Sequence, residues 1–255
     1  KGCKSSDYII SLREPNSQIV EAFRGLRTAL KFSLSTTDNK TILITGGAGF
    51  IGSNLAFYFQ ENYPQSHVVV FDCFRSEAIF ANGNLQSFGH YKNLIGFKGD
   101  VISGNINNKA DLSLLDDYAF DYIFHQAAIS DTRVYDQELV IQTNVNSFYD
   151  LLDIAKKNNA VMVYASSAAA YGSLASPQAV GTESPENPYG YSKYAMDQIA
   201  YRFMQENSEM CIVGLRYFNV YGPGEYFKAK TIGLAIHVAM TPTDKFLETE
   251  KCTSG

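Results

Sequence analysis

The sequence predicts an α/β protein with a doubly wound parallel sheet, that is, a sheet covered by helices on both faces. Two patterns favour this fold class. Continuous apolar runs alternate with helix-like segments along residues 41–230, and a glycine-rich turn directly follows the first apolar run. With 255 residues, 45% of them hydrophobic, the chain can also bury a large core.

The predicted elements follow this rhythm from the first strand onwards. Buried strands are predicted at Thr41–Thr45, His67–Asp72, Tyr122–His125, 161–166 and 211–216. Helices are predicted over about 53–62, 136–158 and 189–207. The Asn- and Gly-rich stretch 81–89 predicts a surface loop.

Three regions of different character divide the chain. Residues 1–40 predict an N-terminal helical extension and linker, because Ile19, Phe23 and Leu26 recur at helical spacing. Residues 41–230 carry the alternating elements and predict the main domain. Residues 231–255 break the alternation and predict a C-terminal tail.

Composition excludes several classes of protein. The net charge is −5, from 21 basic and 26 acidic residues, which argues against general nucleic-acid binding. The four cysteines form no CxxC pair, so neither a disulfide framework nor a zinc site is predicted, and no other metal site is expected. No apolar run approaches the roughly 18–20 residues of a membrane span. We therefore expect a reducing, cytoplasmic setting.

Gly46, Gly49 and Gly52 form a GxxGxxG arrangement between the first strand and the first helix. One glycine permits the tight turn, one lets the backbone approach a pyrophosphate, and one lets helix and strand pack closely. The helix N-terminus then offers free N–H groups to the anion. The pattern predicts a Rossmann-type, NAD(P)-binding domain. A P-loop would require Gly-Lys-Ser/Thr, which this loop lacks.

Two residues at or just beyond the end of the second strand bear on the choice of dinucleotide. Asp72 could hold the adenosine ribose 2′-hydroxyl, which favours NAD. Arg75 could instead meet the 2′-phosphate of NADP. These residues alone therefore do not decide between NAD and NADP.

Tyr189 and Lys193 are separated by four positions on a predicted helix and therefore share one face. An ammonium near a phenol favours the phenolate, so we expect Lys193 to lower the pKa of Tyr189 and make it a general acid/base. Ser167 ends a predicted strand and could hydrogen-bond the reacting oxygen. Tyr191 points off that face. An exposed helix pair is the alternative, but the glycine loop and Ser167 favour catalysis.

Five motifs together carry a family resemblance: TGGAGFIGSN, FHQAA, YASSAAAYG, YGYSK and LRYFNVYGPG, in that order. They resemble the extended short-chain dehydrogenase/reductase family of nucleotide-sugar epimerases over residues 40–231. Within that family, SSAxxYG, NPYGYSK and RYFNVYGP followed by Lys228 are most similar to the heptose 6-epimerases.

The resemblance implies roles for further residues. It implies catalytic roles for Tyr189, Lys193, Ser167 and Lys228. Besides the three glycines, Asp72, Arg75 and Lys193, it implies cofactor contacts at Phe50, Ile51, Gln126, Ala127, Ala128, Ile129, Asn144, Asn219 and Val220. Ser167 and Asn219 would also contact substrate. His125 is expected to be a satisfied strand-end histidine rather than a base.

The implied reaction is epimerisation of a nucleotide sugar with NADP (or NAD). The enzyme would oxidise the sugar side-chain carbon next to the ring, re-present the opposite carbonyl face and return the hydride, with Tyr189 and Lys228 on opposite faces. Related dehydratases carry an Asp-Glu pair where this chain has Ser167-Ala168, so dehydration is not expected. Another nucleotide-sugar 4-epimerase or reductase, or a non-catalytic dinucleotide-binding fragment, remains an alternative. A homo-oligomer is possible; nucleic acid is not expected as a partner.

Some parts of the chain depart from the family pattern. Either 99–101 or Gly104-Asn105-Ile106 could supply the adenine contact, and both alternatives stay open. Gly224 stands where the family usually has arginine. Residues 14–34 resemble the segment before the kinase domain of bacterial capsule-synthesis tyrosine kinases. Because the resemblance to the epimerases ends near Thr231, we expect the family's C-terminal substrate domain to be largely missing.

Overall fold

The computed structural model of the protein describes residues 39–174 and 178–220. Within them, six parallel strands form one sheet in the order β3-β2-β1-β4-β5-β6. The strands are β1 (Thr41–Thr45), β2 (His67–Asp72), β3 (Asp100–Ser103), β4 (Tyr122–His125), β5 (Val161–Ser167) and β6 (Ile212–Tyr217). This order confirms the predicted Rossmann-type fold.

Five α-helices connect the strands in the described residues. They are α1 (Phe50–Asn62), α2 (Lys109–Leu112), α3 (Gln137–Ile141), α4 (Ser147–Asn158) and α5 (Pro188–Glu206). Short 3₁₀ turns occupy Tyr91–Leu94, Ser113–Leu115 and Ala168–Tyr171. No described helix is both long enough and apolar enough to cross a membrane.

The central strands form because both of their faces are buried. Ile42, Leu43 and Ile44 of β1 have no exposed surface, so consecutive residues must be apolar rather than alternating. Leu43 lies opposite Val69 of β2 and Ile123 of β4. The sequence pattern missed β3, because this edge strand is mostly exposed and has no continuous apolar run.

One predicted helix, over 136–158, is interrupted in the structure. A π-helical segment, Gln142–Asn146, separates α3 from α4. The hydrophobic periodicity continues through this segment, which is why the sequence predicted a single helix.

The sheet order reverses between β1 and β4, which opens a crevice at the carboxyl edge of the strands. This edge is where a parallel α/β sheet binds its ligands. Residues 14–34, Gly224, Lys228 and the tail 231–255 lie outside the described residues, so the sequence predictions about them stay predictions.

Candidate dinucleotide site and acid–base centre

The glycine-rich turn after β1 is packed too tightly for side chains. Gly46 has φ +68°, and a Cβ there would lie 2.6 Å from the backbone nitrogen of Ala127. A Cβ on Gly52 would lie 2.3 Å from the carbonyl oxygen of Gly46. The turn therefore needs glycine both for its left-handed backbone and for the close approach of α1.

The N-terminus of α1 points its uncapped end at this turn. Gly49 is the N-cap residue, and the helix has neither a side-chain cap nor an acidic residue in its first turn. An anion at this turn would therefore meet the positive end of the helix dipole. Phe50, Ile51 and Gly52 line a cavity of about 260 Å³ above the turn.

The β1–β2–β3 half of the cavity is built around Asp72. Its Oδ2 accepts the N–H of Ala48 at 2.9 Å and its Oδ1 accepts the N–H of Phe74 at 2.8 Å. Burial raises the pKa of Asp72, while these backbone hydrogen bonds act in the opposite direction. The carboxylate therefore braces the glycine-rich turn in addition to lining the cavity.

The two candidate adenine contacts lie in different places. Gly104, Asn105 and Ile106 line the cavity just beyond the carboxyl end of β3. Residues 99–101 lie at the amino end of β3 and are not among the lining residues. The geometry favours 104–106. Arg75 is half-buried and does not line the cavity.

The acid–base residues lie over the β4–β5–β6 half. Asn187 caps α5, its Oδ1 accepting the N–H of Gly190 at 2.8 Å, and Pro188 follows at the first helical position. This N-terminus sets Tyr189 in the first turn, where Tyr189 and Lys193 both line the cavity. The Lys193 Nζ lies 5.8 Å from the centre of the Tyr189 ring.

We expected Lys193 to lower the pKa of Tyr189. In the ligand-free protein the pKa of Tyr189 is raised, so this expectation is wrong. Burial raises the pKa of Tyr189, and a hydrogen bond from Ser167 offsets part of that rise. Desolvation of the phenolate is the dominant effect at this depth. The Ser167 Oγ accepts the N–H of Ala169 at 3.1 Å, which leaves its own proton for the phenol oxygen.

Lys193 is a buried cation with little direct compensation. The residue is 2% exposed, and its Nζ donates to the sulfur of Met196 at 3.7 Å. Burial lowers the pKa of Lys193 to about 8, although the charge of Asp197 acts in the opposite direction. A costly buried ammonium beside a cavity is typical of a functional site.

The free-energy cost of burying the Lys193 ammonium leads to a testable prediction about stability. Without ligand at pH 7, Lys193→Met should raise the free energy of unfolding by on the order of 1–3 kcal/mol, because the buried charge is removed. The folded pKa lies below the unfolded value, so the wild type should gain stability as pH rises from about 8 towards 10, and the variant should lack this gain. Urea unfolding at pH 7, 8 and 9 measures both effects.

The control for this prediction is Lys157→Met. Lys157 is an exposed lysine paired with exposed Asp116, so its removal should change stability by less than about 1 kcal/mol at every pH. A Lys193→Met protein that is less stable than wild type at pH 7 would contradict the account of Lys193 as an uncompensated charge.

Asn144 acts from behind the cavity wall. Its Oδ1 accepts the N–H of Ile129 at 2.8 Å, and its Nδ2 donates to the carbonyl of Ile129 at 3.0 Å and to the Ser192 Oγ at 2.9 Å. It lies in the π-helical segment and is fully buried. Asn144 thereby fixes the 127–129 turn to α5, one turn of helix from Tyr189.

His125 is buried at the end of β4, and only one of its ring nitrogens is paired. Its Nδ1 lies 2.7 Å from the Thr45 Oγ1, but no hydrogen-bond partner for Nε2 is found among the described residues. Burial, with a contribution from Lys193, lowers the pKa of His125 to about 3, so the ring is neutral at pH 7. We expected a satisfied histidine at the end of a strand. The position at the strand end is confirmed, but the expectation that both ring nitrogens are paired is wrong for the described residues.

The stretch 81–89, predicted as a surface loop, is largely exposed or half-buried in the structure and also forms a wall of the cavity. Gln86, Ser87, Phe88 and Gly89 line it. We call residues 80–89 the cover loop. The sequence indicated its turn residues but not its long-range contacts.

Two sets of contacts anchor the cover loop across the carboxyl edge of the sheet. Phe80 packs with Ile129, Val134 and Val140. Asp131, whose side chain is 1% exposed, accepts hydrogen bonds from Asn82, Asn84 and Arg133. Burial alone would raise the pKa of Asp131, but the hydrogen bonds from Arg133 and Asn84 hold it below its usual range.

The structure brings most of the predicted site residues to one cavity. The lining includes Gly46, Gly49, Phe50, Ile51, Gly52, Asp72, Gln126, Ala127, Ala128, Ile129, Tyr189 and Lys193. Five predicted site residues among those described do not line it: Arg75, Asn144, Ser167, Asn219 and Val220. Sequence reasoning missed the cover loop, Ser166 and Tyr217, which do line it.

The fold and the site together define a Rossmann-type dinucleotide-binding protein with a tyrosine–lysine pair beside the cavity. The sequence matches the NAD dependent epimerase/dehydratase family over residues 42–247. The chain belongs to this family, which confirms the predicted resemblance, but the match runs to residue 247 rather than ending near Thr231.

Three relatives illustrate the similarity. The ADP-L-glycero-D-manno-heptose-6-epimerase of Brachyspira hyodysenteriae (strain ATCC 49526 / WA1) is 33% identical over 200 residues, covering 77% of this chain and 60% of that protein. The crystal structure of Helicobacter pylori ADP-L-glycero-D-manno-heptose-6-epimerase superposes with a TM-score of 0.70 at 53% identity, covering 80% of this chain and 63% of that one. UDP-glucose 4-epimerase of Thermus thermophilus, in complex with NAD, gives 0.64 at 26% identity, covering 78% and 61%. The chain thus spans about three fifths of the length of these relatives.

Proposed function

We propose that this chain carries the dinucleotide-binding and acid–base half of a nucleotide-sugar epimerase of the heptose 6-epimerase type. One observation carries the proposal: the glycine-rich turn and the Tyr189–Lys193 pair line the same cavity. The relatives at 33% and 53% identity are both heptose 6-epimerases, which supports the substrate class.

The residues present fit a dinucleotide. The backbone cradle at Gly46 and Gly52 leaves no room for side chains, and the uncapped end of α1 suits a pyrophosphate. Asp72 and the 104–106 segment would hold the adenosine, and Lys193 the second ribose. A bound oxidised nicotinamide ring would accept a hydride from the sugar and return it to the opposite face of the resulting sugar carbonyl.

The chain's own residues supply the proton chemistry. The raised pKa keeps Tyr189 protonated at neutral pH, so a nearby positive charge must assist its role as base. Lys193 supplies one such charge, and Ser167 orients the phenol through its hydrogen bond. Lys228, outside the described residues, is the proposed second acid–base group.

The geometry supports NAD over NADP. The carboxylate of Asp72 lines the cavity, where it would accept a ribose hydroxyl and repel a phosphate, whereas Arg75 does not line it. This proposal concerns the cofactor alone and is independent of the sugar.

Two measurements on the whole chain test the proposal. At a hundredfold over Kd, NAD should stabilise the fold by about 2.7 kcal/mol and raise Tm by roughly 5–10 °C. NADP should give a smaller shift at equal concentration. Turnover of ADP-L-glycero-D-manno-heptose to its C6 epimer, followed by proton NMR, tests the reaction.

Each outcome decides a different part of the proposal. A larger shift with NADP would overturn the choice of NAD and implicate Arg75. Turnover of UDP-glucose alone would assign the chain to the 4-epimerases. Dinucleotide binding without turnover of either sugar would select a non-catalytic binding role, and no binding at all would overturn the proposed function.

A further inference from the structure

Three buried polar atoms in the cavity wall lack hydrogen-bond partners among the described residues. They are the Ser166 Oγ and both amide atoms of Gln126, Oε1 and Nε2. Ser166 is 1% exposed, and both residues line the cavity. Neither residue is used by the acid–base chemistry described above.

Buried polar atoms without partners cost free energy, so folded proteins rarely retain them without a reason. Here the atoms border a cavity large enough to admit a ligand group. A ligand would supply the missing hydrogen bonds. The unpaired set includes an amide N–H₂ donor, an amide carbonyl acceptor and a hydroxyl that can do either.

The position of Gln126 and Ser166 relative to the sheet indicates which part of a bound dinucleotide would lie beside them. Gln126 follows β4 and Ser166 lies near the end of β5, so both belong to the β4–β5–β6 half. Asp72 and Ile106, which would hold the adenosine, border the opposite half. The part of a dinucleotide that belongs beside Gln126 is therefore the nicotinamide half.

We propose that Gln126 and Ser166 form a subsite for the carboxamide of the nicotinamide ring, an inference that rests on the proposed dinucleotide-binding function. A primary carboxamide carries one acceptor and two donors, which complements the glutamine amide at two points. The subsite fixes the rotation of the ring and hence the ring face that is presented to the sugar. Hydride removal and return depend on that orientation.

Tyr217 offers a competing explanation. Its phenol lies near the Gln126 amide, which lowers the pKa of Tyr217 against the larger rise that burial causes. Neither amide atom reaches hydrogen-bond geometry with the phenol. If a small movement closed this contact, Gln126 would be a structural residue, and the experiment must separate the two roles.

The test compares three ligands by calorimetry: NAD, ADP-ribose, and nicotinic acid adenine dinucleotide. ADP-ribose lacks the nicotinamide ring, and the third ligand replaces the carboxamide by a carboxylate without donors. For Gln126→Met and Ser166→Ala we expect NAD affinity to fall about 3- to 10-fold, as for the loss of one or two neutral hydrogen bonds. ADP-ribose affinity should stay within about twofold, and Gln126→Met should lose the wild type's preference for NAD over the carboxylate analogue.

The control is Gln198→Met, the same substitution at an exposed position on α5 away from the cavity. All three affinities should remain those of the wild type. The Tm of ligand-free Gln126→Met should not fall, because no existing hydrogen bond is lost.

Three results would overturn the inference. An equal loss of ADP-ribose and NAD affinity would mean that the substitution disturbs the whole cavity. A Tm several degrees lower would make Gln126 a structural partner of Tyr217. Unchanged NAD affinity in both variants would remove the subsite. If the wild type bound neither NAD nor ADP-ribose, the proposed function itself would fail.

Discussion

Tyr189→Phe should reduce the proposed epimerase turnover by about 10²- to 10⁴-fold while leaving NAD affinity within about twofold of the wild type. The substitution keeps the ring against Lys193 and removes the hydroxyl that Ser167 hydrogen-bonds. Because the substitution removes proton transfer but keeps the cavity wall, we expect kcat to fall while ligand binding is retained. Initial rates and calorimetry on the same preparation measure the two quantities.

Tyr191→Phe is the matched control for this prediction. It removes a phenolic hydroxyl two residues further along α5, at a residue that is 52% exposed. Turnover and NAD affinity should both be unchanged. If Tyr189→Phe retained full turnover, or lost NAD affinity in proportion to turnover, the hydroxyl would not be the acid–base group.

The parts of the site that could be predicted from the sequence are those whose requirement is local. Gly46 and Gly52 are needed because a side chain would collide with backbone that packs against the turn. Tyr189 and Lys193 share a face because a helix repeats every 3.6 residues. The strands β1 and β4 were recognised because burial on both faces demands continuous apolar residues.

The parts that were missed depend on contacts between distant segments. Asp131 anchors the cover loop through Asn82 and Asn84, a contact that spans almost fifty positions and leaves no periodic pattern. The π-helical segment is stabilised by the bonds of Asn144 to Ile129, which hydrophobic spacing does not reveal. The predicted direction of the Tyr189 pKa shift was also wrong. The motif spacing reveals the neighbouring charge of Lys193 but not how deeply the phenol is buried.

Arg216→Met should lower the free energy of unfolding by about 3–5 kcal/mol, the largest stability effect we expect. The Arg216 Nη2 lies 2.8 Å from the Asp197 Oδ2 and also pairs with Glu183, and its guanidinium carbon lies 4.6 Å from the centre of the Tyr171 ring. Side-chain exposures are 14% for Arg216, 13% for Asp197 and 4% for Glu183. Removing the cation would leave the buried Glu183 carboxylate without its counter-charge and Asp197 without its paired guanidinium.

The same cluster connects stability to the proposed chemistry. Asp197 lies one turn beyond Lys193 on α5, and its Oδ1 accepts the Tyr164 hydroxyl of β5 at 2.7 Å. Arg216 belongs to β6, so the cluster ties α5 to both neighbouring strands. We therefore expect the remaining folded Arg216→Met protein to bind NAD less tightly, because Lys193 and Tyr189 are carried by α5.

Thermal and urea unfolding measure the stability loss, with Arg202→Met as the control. Arg202 is exposed on α5, and its removal should cost less than about 0.5 kcal/mol. For Arg216→Met, a Tm lower by roughly 6–20 °C is expected for a chain of this size. Adding Glu183→Gln to Arg216→Met should recover part of the loss, since one uncompensated charge is removed.

The pH dependence distinguishes loss of charge compensation from loss of packing. Burial alone would raise the pKa of Glu183, but the hydrogen bond from Arg216 holds it below its usual value. In the wild type this group therefore stabilises the fold above its unfolded pKa, and the stabilisation is lost as pH falls through the folded value. Without Arg216 the Glu183 carboxylate takes up a proton more readily, so the gap in stability between variant and wild type should narrow from pH 7 to pH 4. A gap that stays constant over this range would assign the loss to packing against Tyr171 rather than to charge.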